Sequence, residues 1–230
     1  MSKIKVACCW DDGVYNDIPL TALLRKYNAK ATFNLCPGRM EDNTSFNRWA
    51  PKGEDIGHLG FISGRVGINQ LREVYGDFQV ASHCWFHDNA DELDVFMPSA
   101  IKTRQFLENV FQRECPGLAY PNGRFTKESA DALRAAGFTY ARTTRYTEAV
   151  SQNEDMLQLH STCHFMDRCF YARYKQVKEG DGIFYFWGHA YEMLDSAQLW
   201  QQFENKLAFI AEDPDAEWID VCDIPKLVGK

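Results

Sequence analysis

The chain has 230 residues, a length that favours a single domain, and its hydrophobic fraction of 45% is sufficient for a folded core. A net charge of −7 argues against nucleic acid as a partner, and no apolar run approaches the length of a membrane span. The N-terminus enters a strand-like run without a signal peptide, and the eight cysteines are scattered with no CxxC pair. We therefore expect reduced, mostly buried thiols and a cytoplasmic location.

Apolar runs bounded by turn residues predict strands that alternate with helices along the chain. The predicted strands cover residues 4–10, 30–35, the stretch before His83, 117–120, 138–144, 183–188 and 218–222. The predicted helices cover 18–27, 68–75, 98–112, 127–136, 165–176 and 196–211, with Pro98 in the first turn of its helix and Thr126 as an N-cap. The alternation predicts one domain over residues 1–230, with parallel strands in a sheet or a barrel and helices outside.

Residues 39–67 interrupt this alternation. The segment is irregular and contains five glycines. It is too long for a bare connection within a compact domain, which indicates a functional loop or an insertion.

Two histidines and two aspartates stand where predicted strands end. His83 and His87 are four residues apart, and two imidazoles that meet need only a carboxylate to complete a three-ligand metal site. Asp11 and Asp12 supply carboxylates after the first strand, so that one can bind the metal while its neighbour acts as a general base. The simpler interpretation is a turn at Asp-Asp-Gly, with one buried and one surface histidine. Because ligands bind at the carboxyl ends of parallel strands, the shared placement favours a metal site.

Four short motifs at strand ends, which also include Asn122 and His189, resemble those of the polysaccharide deacetylases, the NodB-homology family of carbohydrate esterases. The order and the spacing of the motifs agree over about residues 4–189. The motifs are Trp10-Asp11-Asp12-Gly13, His83-Cys84-Trp85-Phe86-His87, Ala119-Tyr120-Pro121-Asn122-Gly123 and Phe186-Trp187-Gly188-His189.

The resemblance implies a distorted (β/α) barrel of the NodB type, with seven strands rather than eight, as a single catalytic domain. It implies hydrolysis of an N-acetyl or similar amide, usually on an amino sugar, so the expected substrate is a carbohydrate or a small amide. By the same resemblance Asp12, His83 and His87 hold a divalent metal. Zinc is the first choice, and Co²⁺, Ni²⁺, Mn²⁺ and Fe²⁺ suit the same ligands.

The resemblance also implies roles for residues that do not bind the metal. Asp11 would be the general base, and His189 the general acid that protonates the leaving amine. The backbone N–H of Asn122 would help to stabilise the oxyanion. Tyr120, Arg142 and Trp187 complete the set of candidate substrate-binding residues, and the indole of Trp187 either stacks on a sugar ring or packs in the core.

The chain departs from the family pattern at two motifs. Ala119 stands where the third motif usually has the arginine that pairs with the catalytic aspartate, and Arg142, at the next strand end, is our hypothesis for its replacement. The fourth motif, an Asp-rich segment that tunes the acid histidine, is not recognisable. Glu192, three residues after His189, is a substitute partner or a solvated loop acid. His164 lines the mouth of the site, or it is a capping or core histidine.

Two other functions stay open at this point. Two histidines and one carboxylate also form the facial triad of non-haem iron oxygenases, although this alternating chain lacks the His-x-Asp spacing of those enzymes. The missing third-motif arginine alternatively indicates a non-catalytic barrel that holds a glycan in an aromatic cleft.

Overall fold

The computed structural model describes residues 4–51, 58–148, 150, 155–180 and 182–228, and strands and helices alternate along them. The strands are β1 (Ile4–Asp11), β2 (Thr32–Leu35), β3 (Arg48–Trp49), β4 (Phe61–Ile62), β5 (Gln79–Ser82), β6 (Gly117–Ala119), β7 (Tyr140–Tyr146), β8 (Leu159–Ser161), β9 (Cys163–His164), β10 (Ile183–Gly188) and β11 (Ala216–Trp218). The α-helices are α1 (Asp17–Lys26), α2 (Leu71–Tyr75), α3 (Leu93–Phe111), α4 (Lys127–Ala135), α5 (Phe170–Glu179), α6 (Ala197–Ala211) and α7 (Ile224–Val228).

Parallel strands form a sheet that closes on itself. Their order is β8-β7-β6-β5-β2-β1-β10-β9. Only Thr162 separates β8, which pairs with β7, from β9, which pairs with β10, and the Thr162 N–H donates to the Tyr185 carbonyl at 2.6 Å. Residues 159–164 therefore form one interrupted barrel strand, here called the closing stave, which joins the two edges of the sheet. Within the described ranges the barrel wall has seven strands, counting the closing stave as one. The expected distorted (β/α) barrel is confirmed.

The closing stave is not the strand that the sequence predicts as the seventh of the barrel. The predicted last strand, residues 218–222, is replaced by β11, which pairs with the first residues of β1. The closing stave comes instead from residues 159–164, where the sequence predicts no strand. Half-buried His160 and His164 interrupt its buried residues, so it lacks the continuous apolar run by which the other strands were identified.

Two helix boundaries also differ from the prediction. α3 begins at Leu93, so Pro98 lies in its second turn rather than its first. α5 begins at Phe170, five residues later than predicted, because a turn precedes it in which the Asp167 carboxylate accepts the Cys169 N–H at 2.7 Å. The predicted N-cap of α4 is confirmed, because the Thr126 hydroxyl accepts the Ser129 N–H at the start of that helix.

Alternation along β1 sorts its side chains between two environments, because successive residues of a strand point to opposite faces. Val6, Cys8 and Trp10 pack in the core between the barrel and its helices. Ala7 and Cys9 pack inside the barrel with residues of β7 and β10, including Tyr140, Tyr185 and Trp187. Continuing this alternation, Asp11 points into the barrel interior at the carboxyl end of the strand.

The irregular segment 39–67 is in part a small hairpin beside the mouth of the barrel. β3 and β4 pair in antiparallel fashion, and the Trp49 indole N–H donates to Asp195 Oδ2 at 3.1 Å. A bridge between Val14 and Arg65 attaches the end of the segment to the loop after β1. This hairpin and bridge are the structure of the described part of the segment; residues 52–57 lie outside the described residues.

The cysteines behave as core residues. All eight are free thiols, and six of them are buried, which agrees with the expectation of mostly buried, unpaired thiols. Among the helices of the described residues, none combines the length and the apolar character needed to cross a membrane.

Candidate active site

A cavity of about 240 Å³ opens at the carboxyl ends of the strands, where the sequence placed the site. Every predicted site residue lines it. The lining residues are Asp11, Asp12, Arg39, His83, His87, Tyr120, Asn122, Gly123, Arg142, Thr144, Trp187, His189 and Tyr191.

Asp12, His83 and His87 converge on one point of this cavity. The Nε2 atoms of His83 and His87 each lie 3.9 Å from Asp12 Oδ1, and one ligand atom from each residue lies within 4.8 Å of the others. The histidines stand on a loop after β5 rather than on a helix, since Cys84 and His87 have positive φ angles of 60° and 66°. Strained backbone of this kind occurs where a site requires it.

The donor atoms are prepared for a divalent cation. His83 Nδ1 lies 2.8 Å from the Ala119 carbonyl and must donate to it, which leaves Nε2 with a free lone pair facing Asp12. Burial lowers the pKa of His83, and burial together with His83 lowers the pKa of His87 to about 4, so both are neutral near pH 7. Asp12 Oδ1 is buried with no hydrogen-bond partner among the described residues. A carboxylate and two neutral imidazoles therefore fit zinc or a similar ion.

Asp11 lies beside this cluster and is held ionised. Its Oδ2 accepts a hydrogen bond from the Arg142 guanidinium, its Oδ1 accepts one from Asn34 Nδ2 at 2.7 Å, and its Oδ2 is 3.9 Å from His189 Nε2. Burial opposes ionisation, but the charge and the hydrogen bond of the Arg142 guanidinium, together with His83 and His189, outweigh it and hold the carboxyl pKa well below its usual range. Asp11 is thus a buried anion that faces the cavity.

Arg142 occupies the place that the sequence hypothesis gave it. Arg142 on β7 is the direct cross-strand neighbour of Ala119 on β6, so a guanidinium moved by one strand still reaches Asp11. The Arg142 guanidinium lies 4.5 Å from the centroid of the Trp187 ring, and both Arg142 and Asp11 are almost fully buried. The indole, only 9% exposed, therefore packs on Arg142, the core-packing alternative weighed from the sequence.

His189 contacts an acidic partner through its other ring nitrogen. Its Nδ1 lies 3.4 Å from Glu192 Oε2, and the same oxygen lies 2.9 Å from His164 Nε2. Burial alone would lower the pKa of His189, but the carboxylates of Glu192 and Asp11 raise it. The interpretation of Glu192 as a solvated loop acid is wrong, because its side chain is only 20% exposed and lies between two imidazoles.

Two further predicted residues line the cavity in different ways. Asn122 has a positive φ of 56° in the turn after β6, and its side-chain amide donates to Asn89 Oδ1 at 2.8 Å. The Tyr120 hydroxyl donates to the Leu157 carbonyl at 2.8 Å, and its ring stacks with those of Phe96 and Phe125. Tyr120 therefore supports the wall, and its hydroxyl is already engaged and does not face a substrate.

Sequence reasoning missed several residues that line or support the site. Asn34 is the cross-strand neighbour of Asp11 at the end of β2, and the general rule that polar residues at strand ends face the site would have found it. Arg39 and Tyr191 line the cavity from 3-10 turns after β2 and β10, and Thr144 lines it from β7; no local pattern distinguishes the three from surface residues.

Comparison with known proteins identifies the family. Residues 1–141 match the family model for polysaccharide deacetylase. The chain belongs to the polysaccharide deacetylase family. The resemblance to this family is thereby confirmed; Arg142 and the motif Phe186-Trp187-Gly188-His189 lie beyond the matched residues. The search of curated proteins gave no match.

Solved structures of this family share the fold at low sequence identity. A Mycobacterium smegmatis protein assigned as a polysaccharide deacetylase is 13% identical, with 99% of this chain and 90% of that one covered and a TM-score of 0.63. A family 4 acetyl xylan esterase from Clostridium thermocellum, solved with a cobalt ion, is 14% identical, with 97% and 91% covered and a TM-score of 0.54. A CE4 family pseudoenzyme from Bacillus anthracis is 14% identical, with 97% and 66% covered and a TM-score of 0.55.

Some solved relatives are longer than this chain. It spans 61% of a Streptococcus pyogenes deacetylase and 44% of a Bacillus cereus polysaccharide deacetylase. Since the pseudoenzyme has the same fold as the esterase, the barrel alone does not establish activity, and the argument for function depends on the site.

Proposed function

We propose that this protein is a metal-dependent hydrolase that removes an N-acetyl or similar acyl group from an amino sugar or a related amide. One observation carries the proposal. Asp12, His83 and His87 converge beside a second carboxylate, Asp11, which Arg142 keeps ionised and which does not need to bind the metal. Membership of the polysaccharide deacetylase family supports the same reaction class.

The metal would be held by Asp12 together with the Nε2 atoms of His83 and His87. It would supply Lewis acidity for the scissile carbonyl and would lower the pKa of water. Zinc is our first choice, and cobalt, nickel, manganese and iron suit the same donors. The cobalt ion of the Clostridium thermocellum esterase supports a divalent metal in this fold.

The remaining residues would move protons and stabilise charge. Asp11, which is ionised and faces the cavity, accepts a proton from the attacking water. His189, whose pKa is raised, donates a proton to the departing nitrogen, which leaves only when it is protonated. The backbone N–H of Asn122, in the turn after β6, helps to hold the negative oxygen of the tetrahedral intermediate.

The site geometry favours the hydrolase over the two alternatives from the sequence, the non-catalytic barrel and the iron oxygenase. The non-catalytic interpretation depended on the absence of an arginine for Asp11, and Arg142 fills that role from the neighbouring strand. The iron oxygenase interpretation explains the three-residue cluster but gives no function to the Asp11–Arg142 pair or to His189.

Release of acetate tests the proposed function. Purified protein loaded with Zn²⁺ or Co²⁺ would be assayed, with and without O₂, on acetylated amino sugars, their oligosaccharides and small N-acetyl amides. We expect acetate release that stops after chelation, returns with added metal and does not depend on O₂. Glycan binding without acetate release would favour the non-catalytic alternative, and a requirement for O₂ would favour the oxygenase.

A further inference from the structure

A chain of three side chains leads away from the cavity behind His189. The Nε2 atom of His189 faces Asp11, and the opposite ring nitrogen, Nδ1, faces Glu192. Glu192 in turn contacts His164, which stands on β9, the second half of the closing stave. The His189 ring thus lies between the cavity, which its Nε2 faces, and a half-buried polar network formed by Glu192 and His164.

His164 has a defined tautomer in this network. Its Nδ1 accepts the Met166 backbone N–H at 3.2 Å, so in the neutral ring the hydrogen is on Nε2. That Nε2–H is 2.9 Å from Glu192 Oε2 and donates to it. With Nδ1 accepting one hydrogen bond and Nε2 donating another, the His164 ring has both nitrogens engaged and fixes the position of the Glu192 carboxylate.

The Glu192 carboxylate is fixed from a second direction. Its Oε2 also accepts the backbone N–H of His189 at 2.9 Å. Burial would raise its pKa, but hydrogen bonds from His164 and His189 lower it to about 2, so the group is an anion over the working range of the protein. The Glu192 anion lies 3.4 Å from Nδ1, so it favours a hydrogen on that nitrogen by charge attraction rather than by a hydrogen bond, and Nε2 faces the cavity.

We propose that His164 and Glu192 form a positioning pair that orients His189 and keeps it protonated, so that this site can expel an amine leaving group. The inference rests on the proposed function and adds two positioning residues to it. Neither residue touches the substrate in this arrangement. The pair matters for an amide, whose nitrogen must be protonated before it leaves, and matters little for an activated ester, whose phenolate departs unaided.

Several charged groups act on His189 together. Removal of Glu192 takes away the carboxylate next to Nδ1 and leaves the carboxylates on the cavity side, one of which is already paired with a guanidinium. The groups that face or adjoin the ring are Glu192, Tyr191, Asp11, Asp12, Arg142 and His164. The pKa of His189 should therefore fall, but not to the value of an isolated buried imidazole.

The test compares two substrates in matched variants. Glu192→Gln removes the charge with little change of shape, Glu192→Asp restores the charge, and Glu179→Gln makes the same change at an exposed position of α5. We expect Glu192→Gln to lower kcat on an N-acetyl amide by about 10²-fold while an aryl acetate ester loses far less. The alkaline limb of the amide pH profile should move to lower pH. Glu192→Asp should recover part of the amide rate, and Glu179→Gln should match the wild type.

A measurement that needs no activity separates this inference from the proposed function. The pKa of the His189 imidazole would be followed by NMR in the zinc-loaded wild type and in Glu192→Gln, and a lower value in the variant supports the pair even if no substrate is hydrolysed. Absence of all hydrolysis in the wild type would count against the proposed function alone. Equal losses on amide and ester with an unchanged His189 pKa, or an unchanged amide rate, would overturn the positioning pair.

Discussion

The Asp11→Asn variant is expected to keep the bound divalent metal and to lose about 10²–10⁴-fold in kcat/KM, the range that general-base catalysis contributes. The physical reason is that an amide nitrogen or oxygen cannot accept the proton of the attacking water, whereas the ionised carboxylate can. The side-chain oxygen of Asn at this position can still accept the Asn34 amide hydrogen, so one of the two hydrogen bonds that position Asp11 is retained. The measurements are kcat/KM on an N-acetyl amide and metal content of the same preparation.

A control is needed because this change leaves a buried guanidinium without its anion. The double variant Asp11→Asn with Arg142→Met removes both charges, and replacing a buried ion pair by apolar groups is often neutral for stability. We expect the double variant to unfold close to the wild-type temperature and to remain inactive. Wild-type turnover in Asp11→Asn would show that another group accepts the proton.

Arg142→Ala is expected to reduce both stability and activity. Removing one partner of a buried ion pair costs about 3–5 kcal/mol in the free energy of unfolding, because the remaining charge has no partner. The Asp11 pKa should then rise, since burial is no longer opposed by the guanidinium. The acid limb of kcat/KM should move to higher pH, because the carboxylate must be ionised to act as a base.

The stability effect of this variant has a defined pH dependence. In the wild type the folded-state pKa of Asp11 lies below its unfolded value, so the ion pair stabilises the protein above the unfolded pKa and this stability is lost as the pH falls through the folded value. The difference in unfolding free energy between wild type and Arg142→Ala should therefore be largest near neutral pH, and it should shrink as the pH falls below the raised Asp11 pKa of the folded variant.

A conservative variant and an exposed control complete the Arg142 experiment. Arg142→Lys keeps a cation but not the planar fork, and should retain more of the activity than alanine. Arg168→Ala removes an exposed arginine from the turn before α5 and should change neither stability nor the pH profile. An Arg142→Ala protein with unchanged turnover and an unchanged acid limb would contradict the account of how Asp11 is kept ionised.

The metal cluster and its neighbours could be predicted because their signals are local. Asp12, His83 and His87 belong to short motifs, and each motif directly follows an apolar strand whose direction is dictated by the fold. The replacement of the third-motif arginine by Arg142 could also be inferred, because neighbouring parallel strands end at the same edge of the barrel.

Other parts of the site depend on contacts that no local pattern encodes. The stave of residues 159–164 is short and has half-buried histidines, so its role in closing the barrel emerges only from pairing with both β7 and β10. Glu192 could not be distinguished from a surface acid, because its burial depends on His164 and therefore on that same stave. The sequence names Tyr120 as a candidate substrate-binding residue, yet its hydroxyl donates to the Leu157 carbonyl.

The most direct test of the account is the metal content of three purified proteins, namely the wild type, Asp12→Ala and the exposed control Asp94→Ala. If Asp12, His83 and His87 form one site, the wild type and Asp94→Ala will each hold about one divalent ion per chain after loading and desalting. Asp12→Ala will have lost most of it and will show no activity. Equal metal in Asp12→Ala and the wild type would contradict the assignment of the site and the reaction that depends on it.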